Sequence, residues 1–165
     1  MVFLAAACGP APPEPGPPAT PLPLGKPLFP SPRDAARAFL RALEAGDRDS
    51  LRSLALTERE FAEAVYPLLP ASRPERNTAA AFLWSLSEPR SRNSLAGTLS
   101  RHGGTRLELV AVDFLGETTD YGAFRVHRET VLTVRTPEGD QRVMRLFGSM
   151  IEQDGRYKIY SFVVD

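Results

Sequence analysis

The 165-residue chain contains a single cysteine, Cys8, and two histidines. One cysteine excludes an intramolecular disulfide and any zinc cage built from cysteines. His102 and His127 are not spaced as a metal-binding pair, so neither metal nor any other cofactor is expected. An excess of charge is missing as well: 20 basic and 20 acidic side chains cancel. Without a basic excess or stripe, nucleic-acid binding is not expected. No apolar run approaches the roughly 20 residues that span a bilayer. There is no phosphate-cradling glycine loop, no Gly-x-Ser-x-Gly elbow and no His-Glu-x-x-His. Lysine is scarce, with Lys26 and Lys158 against 18 arginines, a bias of GC-rich coding more than of a site. The length suits one domain with a real core, or a small domain with a tail.

Proline is what the chain has in excess, and it is unevenly placed. Of 16 prolines, 11 fall between Pro10 and Pro32. Proline lacks the backbone donor and fixes φ, so this stretch cannot build ladders. It reads as an extended, semi-rigid spacer over residues 8–30, of which about 20 residues would reach about 60 Å at ~3.1 Å per residue. Residues 9–30 are expected to add no stability. A rival reading takes Pro15–Pro18 as a PxxP ligand for an SH3-type groove.

Ahead of the spacer, Met1–Ala7 reads MVFLAAA and is followed by Cys8-Gly9. Apolar residues, small residues, a lone cysteine and then a linker resemble the lipobox of bacterial lipoproteins. The resemblance implies lipidation of Cys8, with diacylation (palmitate-type chains) on sulfur, and removal of residues 1–7 as a partial signal peptide. In place of the usual Leu three residues before the cysteine stands Ala5, with Leu4 one place earlier. The apolar stretch is shorter than an h-region of roughly 7–15 residues; the expectation is a native start further upstream, or a trimmed chain. The implied location is the bacterial cell envelope, membrane-anchored and facing the periplasm or exterior, since several acyl chains anchor stably. A cytoplasmic domain with a proline-rich tail is the rival.

From Ser31 to Asp165 the pattern is helices first and strands after, an α+β class. Ser31-Pro32-Arg33-Asp34 is a helix start, and Ala35, Ala36, Phe39, Leu40 and Leu43 form one apolar face that ends at Gly46. Asp47 caps a second helix carrying Leu51, Leu54 and Leu56. Thr57 and Glu60 form a capping box for a third, with Phe61, Ala64 and Val65 inward; Pro67 and Pro70 end it. A longer helix opens at Asn77 or Thr78, carries Ala81, Phe82, Trp84, Leu86, Leu95 and Leu99, and is expected to kink or restart at Pro89. Four antiparallel strands follow at Leu107–Leu115, Tyr121–Arg135, Arg142–Glu152 and Tyr157–Val164, with a phase slip between Leu109 and Val110.

The order SPRDAARAFLRALEAGDRDSLRSL, further helices, and strands ending in GRYKIYSFVV resembles the NTF2-like (SnoaL-like, cystatin-like α+β) superfamily over residues 31–165. The resemblance implies N-terminal helices packed on a curved four-stranded antiparallel sheet that forms a cone with a pocket. It does not choose a function, since isomerases, cyclases, dehydratases and non-catalytic binding modules share the fold. The reading is a non-enzymatic binding or assembly module; the alternative is an isomerase-, cyclase- or dehydratase-type enzyme acting on a small hydrophobic substrate. Its partners would be the membrane, through the lipid anchor, and a protein or small molecule; a homodimer is a further candidate.

Catalytic residues are not assigned. Asp113, Tyr121 and Tyr160 could stand in for an acid and an oxyanion donor, but structural roles are favoured. The candidate pocket residues are Trp84, Tyr121, Arg128 and Tyr160. Arg128 shares parity with Phe124, Val126, Leu132 and Val134, so a regular strand aims it at the apolar side. There it would hold an anion, pair with a carboxylate such as Glu108, or be turned outward by a bulge. Trp84 with Phe82 could line a pocket mouth, though core packing is favoured. His127 is placed on a solvated outer face, and His102 at a helix C-terminus, where a cation suits the dipole.

Overall fold

The computed structural model describes residues 22–76 and 78–164. The first helix, α1 (Pro32–Glu44), starts as the local chemistry dictates: the Ser31 hydroxyl accepts from the Asp34 amide, and proline takes the first turn. Asp47 caps α2 (Arg48–Ser53) through the Ser50 amide. Thr57 and Glu60 complete a reciprocal capping box at α3 (Glu58–Glu60), which runs on into a π-helical turn, Phe61–Val65. Two single turns, Tyr66–Leu68 and Pro70–Ser72, lead toward α4 (Ala80–His102).

The helix α4 passes Pro89 without interruption. Pro89 and Ser85 are both exposed. The carbonyl that loses its amide partner is therefore on the wet side, and the expected restart does not occur. This helix has no single apolar stripe because its halves serve different cores. Leu83 and Trp84 pack on one cluster and Leu95 and Leu99 on another. Phe82 and Leu86, expected inward, are 56% and 52% exposed.

Among the described residues seven strands form where four were expected: β1 (Glu108–Phe114), β2 (Thr118–Asp120), β3 (Arg125–His127), β4 (Thr130–Arg135), β5 (Gln141–Met144), β6 (Ser149–Gln153) and β7 (Arg156–Ser161). They make two antiparallel sheets, β1-β4-β5 and β2-β3-β6-β7. The slip in β1 is present as a register shift between Leu109 and Ala111. The chain is thus α+β, with no closed barrel among the described residues.

The extra strands arise from a bend. The two long strands expected from sequence both break at the same level, at Arg128–Glu129 and at Arg145–Gly148. Glu129 takes φ +53, a left-handed conformation that is costly for a side-chain-bearing residue. The strand breaks there and passes from one core to the other. Phe124 and Val126 before it belong to one buried cluster, with Leu24, Leu56, Phe61, Val65 and Ile151. Leu132 and Val134 after it belong to the other, with Phe39, Leu43, Leu51, Phe147 and Ile159. Arg128 falls at the break and is exposed. Glu108, its suggested partner, bonds Arg135 instead, at 3.2 Å.

Packing begins before Ser31. Leu24 is buried and its amide donates to Gln153 Oε1 at 2.7 Å. Phe29 pairs with Tyr157 through two backbone hydrogen bonds. Residues 24–29, read from sequence as the end of the spacer, therefore form a strap along the outer edge of β7. The same edge is covered further along by Leu54–Leu56, which exchange hydrogen bonds with Ile159. Leu24→Ala should destabilise the protein by about 2 kcal/mol, the low end for a buried leucine, in a urea melt. A change under about 0.5 kcal/mol would mean that the strap does not pack.

Candidate binding cleft

A cleft of about 750 Å³ lies between α2–α3 on one side and α4 on the other, with β7 beneath. Its walls are set by backbone chemistry. Ala55 bridges to Ile159, which fixes the loop between α2 and α3 on the sheet. The Phe162 amide donates to Ser91 Oγ at 3.0 Å, which fixes α4 on the other side.

The floor is apolar and aromatic, formed by Leu56, Phe61, Trp84, Leu95, Tyr160 and Phe162. Phe61 and Trp84 have ring centroids 5.5 Å apart at 38°, a favourable offset arrangement. The rim carries both signs of charge. Asp49, Arg52 and Glu58 stand on one wall, and on the other Arg92 donates to Glu88 at 2.6 Å. Ser53, Thr57, Ser87, Ser91 and Ser161 complete the lining.

Tyr160 is the one titratable group of the floor. Burial, reinforced by the neighbouring Tyr121 phenol, pushes its pKa up to about 12, against a partial opposing effect of the Arg128 charge. Its hydroxyl is therefore a neutral donor throughout the physiological range. It makes no hydrogen bond to another described residue.

Of the four residues expected to line a pocket, Trp84 and Tyr160 line this cleft. Tyr121 does not; it stacks on Phe124 at 4.9 Å. Arg128 lines a separate small cavity at the bend of the sheet. Asp113 is exposed on β1. Cys8 lies outside the described residues.

A second polar array was expected to be a solvated face and is not. The side chain of His127 is 12% exposed, lying against the Phe114 ring with centroids 4.7 Å apart. His127 Nε2 lies 2.8 Å from Glu152 Oε2 and Nδ1 lies 3.0 Å from Thr118 Oγ1. A carboxylate only accepts, so the ring donates from Nε2 to Glu152, and the tautomer that fits both partners accepts the Thr118 hydroxyl at Nδ1. Neither the large cleft nor the small cavity is lined by these residues, and their role is to tie β2, β3 and β6 together.

Sequence reasoning missed one buried charge. Lys158 is 1% exposed and its Nζ bonds both carboxylate oxygens of Glu60, at 2.7 and 3.0 Å, and Gly25 O at 3.2 Å. The signals available were the rarity of lysine in an arginine-rich chain and its parity with Tyr160 on a short, mostly apolar strand.

Among the described residues no group of three or more His, Cys, Asp or Glu side chains could hold a metal ion. No described helix is long and apolar enough to cross a membrane. No protein family, curated protein or solved structure matches the chain.

Proposed function

We propose that this chain is a lipid-anchored, extracytoplasmic binding or assembly module of NTF2-like type, taking its ligand in the cleft between α3 and α4. The lining of that cleft carries the reading. An aromatic floor offers apolar area to bury, while rim hydroxyls and mixed charges orient what is bound, the usual make-up of a ligand site. Proton-transfer chemistry would need a base within hydrogen-bond reach of the same substrate. The cleft's acids stand away from that position: Asp49 and Glu58 are exposed, and Glu88 is engaged by Arg92. Tyr160 supplies a neutral donor with no base beside it, which suits binding better than the isomerase, cyclase or dehydratase alternative. The bent antiparallel sheet with helices against it supports the NTF2-like comparison. Cys8 followed directly by a proline-rich stretch supports the anchor.

Trp84 is the only tryptophan, so its emission reports on the cleft. Titration with the amphipathic dye 1-anilinonaphthalene-8-sulfonate should saturate, quench Trp84 by energy transfer and raise the melting temperature. Ser87→Phe fills the cleft and gives up only a hydroxyl bond within its own helix; it should abolish both signals while leaving the melt of the free protein intact. Unchanged dye binding in that variant would refute the site. The anchor is tested separately: the native gene product should partition with membranes, and Cys8→Ser should leave an unacylated precursor. An unmodified Cys8 in the membrane-competent native protein would refute that half of the proposal.

A further inference from the structure

The proline-rich sequence ahead of the strap has a period of its own. Residues 10–21 read PAPPEPGPPATP, in which Pro12, Pro15, Pro18 and Pro21 recur at every third position. A polyproline helix has three residues per turn, so in that conformation these four prolines share one edge. The PxxP match at Pro15–Pro18 is one step of that stripe. Glu14 is the only charged residue of the segment. Proline has no amide to donate, so such a segment offers mainly carbonyl acceptors and apolar rings.

The cleft is complementary to it. Phe61, Trp84, Tyr160 and Phe162 give its lining four aromatic side chains, and aromatic-lined grooves are recurrent receptors of polyproline helices. Two of these residues carry a donor without an acceptor. Neither Trp84 Nε1–H nor the Tyr160 hydroxyl makes a hydrogen bond among the described residues, and neither is sealed from solvent. The lining's charges are of both signs, which suits a nearly neutral ligand.

The strap joins the domain beside this cleft. Leu24 is buried in one cluster with Leu56 and Phe61, and both of those line the cleft. The Gly25 amide donates at 2.6 Å to Glu60, the neighbour of Phe61 in sequence. About 12 residues at ~3.1 Å each reach about 37 Å, enough to turn back over the cleft from that point.

We infer that the cleft takes the chain's own residues 10–21, with the stripe of four prolines against its aromatic lining, so that an incoming ligand must displace them. This inference rests on the cleft being a binding site. It turns the spacer into a competitor: docked, the segment closes the cleft, and displaced, it frees the tether to extend.

The experiment measures the affinity of 1-anilinonaphthalene-8-sulfonate, read by Trp84 emission, in three full-length chains. They are the wild type, a stripe variant (Pro12→Ser, Pro15→Ser, Pro18→Ser, Pro21→Ser) and an off-stripe control (Pro10→Ser, Pro13→Ser, Pro17→Ser). All the substitutions stop short of Leu24, where packing of the strap begins, and a cooperative melt checks that each chain folds. A segment that fills the cleft about four-fifths of the time weakens an outside ligand about fivefold. The stripe variant should therefore bind the dye about fivefold more tightly than wild type, and the off-stripe control should match wild type. A synthetic peptide of residues 9–21, at about the millimolar level that a short tether provides, should return the stripe variant to wild-type affinity. Equal dye affinity in wild type and stripe variant, or an equal gain in both proline variants, overturns the inference and leaves the cleft's own dye binding in place. A difference that grows with protein concentration assigns the segment to a second copy and overturns docking within one chain. Absence of dye binding in all three chains overturns the reading of the cleft, and this inference with it.

Discussion

Lys158→Ala should cost about 3–5 kcal/mol of stability, the range for removing one partner of a buried pair. The reason lies in what the pair holds. Glu60 accepts from Lys158, from the amide and hydroxyl of Thr57 and from the Gly25 amide. One carboxylate thus closes the cap of α3, neutralises the sheet's buried ammonium and clamps the strap. Without Lys158 that carboxylate faces an apolar cavity with no counter-charge. Replacing both partners, as Lys158→Met with Glu60→Leu, should recover only part of the loss, because the Thr57 and Gly25 amides then lose their acceptor. The pair should also shape the acid side of the stability profile. Burial by itself would raise the Glu60 pKa, but hydrogen bonds from Lys158 and Thr57 outweigh it and hold it below the usual value. A carboxyl lowered in the folded state contributes stability above its unfolded pKa of about 4.3. That contribution is lost as pH falls through the lower, folded value. Glu60→Gln should therefore flatten the stability profile in that acid window. A Lys158→Ala loss below about 1 kcal/mol in urea would refute the clamp.

Gly148→Ala is expected to be nearly as damaging, at about 3 kcal/mol, the upper end for forced overpacking. A Cβ there would sit 1.9 Å from Val163 O, a backbone atom that cannot rotate away. The same glycine donates to Ser161 O and accepts from Thr130, so it is held from both sides at the bend. Gly122→Ala is the control. It meets nothing within 4 Å, but its φ of +84 still disfavours a side chain, and about 1 kcal/mol should be lost. Equal losses in the two variants would mean that residues 161–164 yield freely, contrary to the packing described.

The two losses fall where sequence reading was weakest, and the cause is the range of the interactions. The caps at Ser31, Asp47 and Thr57 were legible because donor and acceptor lie three residues apart. The slip in β1 was legible because adjacent leucine and valine break a period of two. The bend was hidden because the apolar alternation of Phe124, Val126, Leu132 and Val134 continues through Glu129 as though one core received all four. Nothing in the pattern marks the left-handed residue between them. Glu60 and Lys158 are 98 residues apart, and local periodicity carries no information about which cap will meet which strand. The strap was misread for a related reason: composition described its prolines correctly, but one leucine in it finds a buried place. At the cleft, Trp84 and Tyr160 were singled out as aromatic residues beside predicted core. The serines and charges of the rim carry no sequence signal of their own.

The strap has a consequence for the order in which the molecule can be made. Its docking partners are made long after it: Leu24 waits for Gln153, 129 residues later, and Gly25 waits for Lys158, 133 later. At typical elongation rates of ~5–20 residues per second, that interval is on the order of 10 s. During it, Glu60 has no Lys158 ammonium to meet, and the apolar face of α1 has no β7 to pack against. The docking of β7 therefore waits on a long stretch of synthesis after the strap has been made. A nascent chain halted before Arg156 should remain open to protease along residues 22–30, and completion of β7 should close that window.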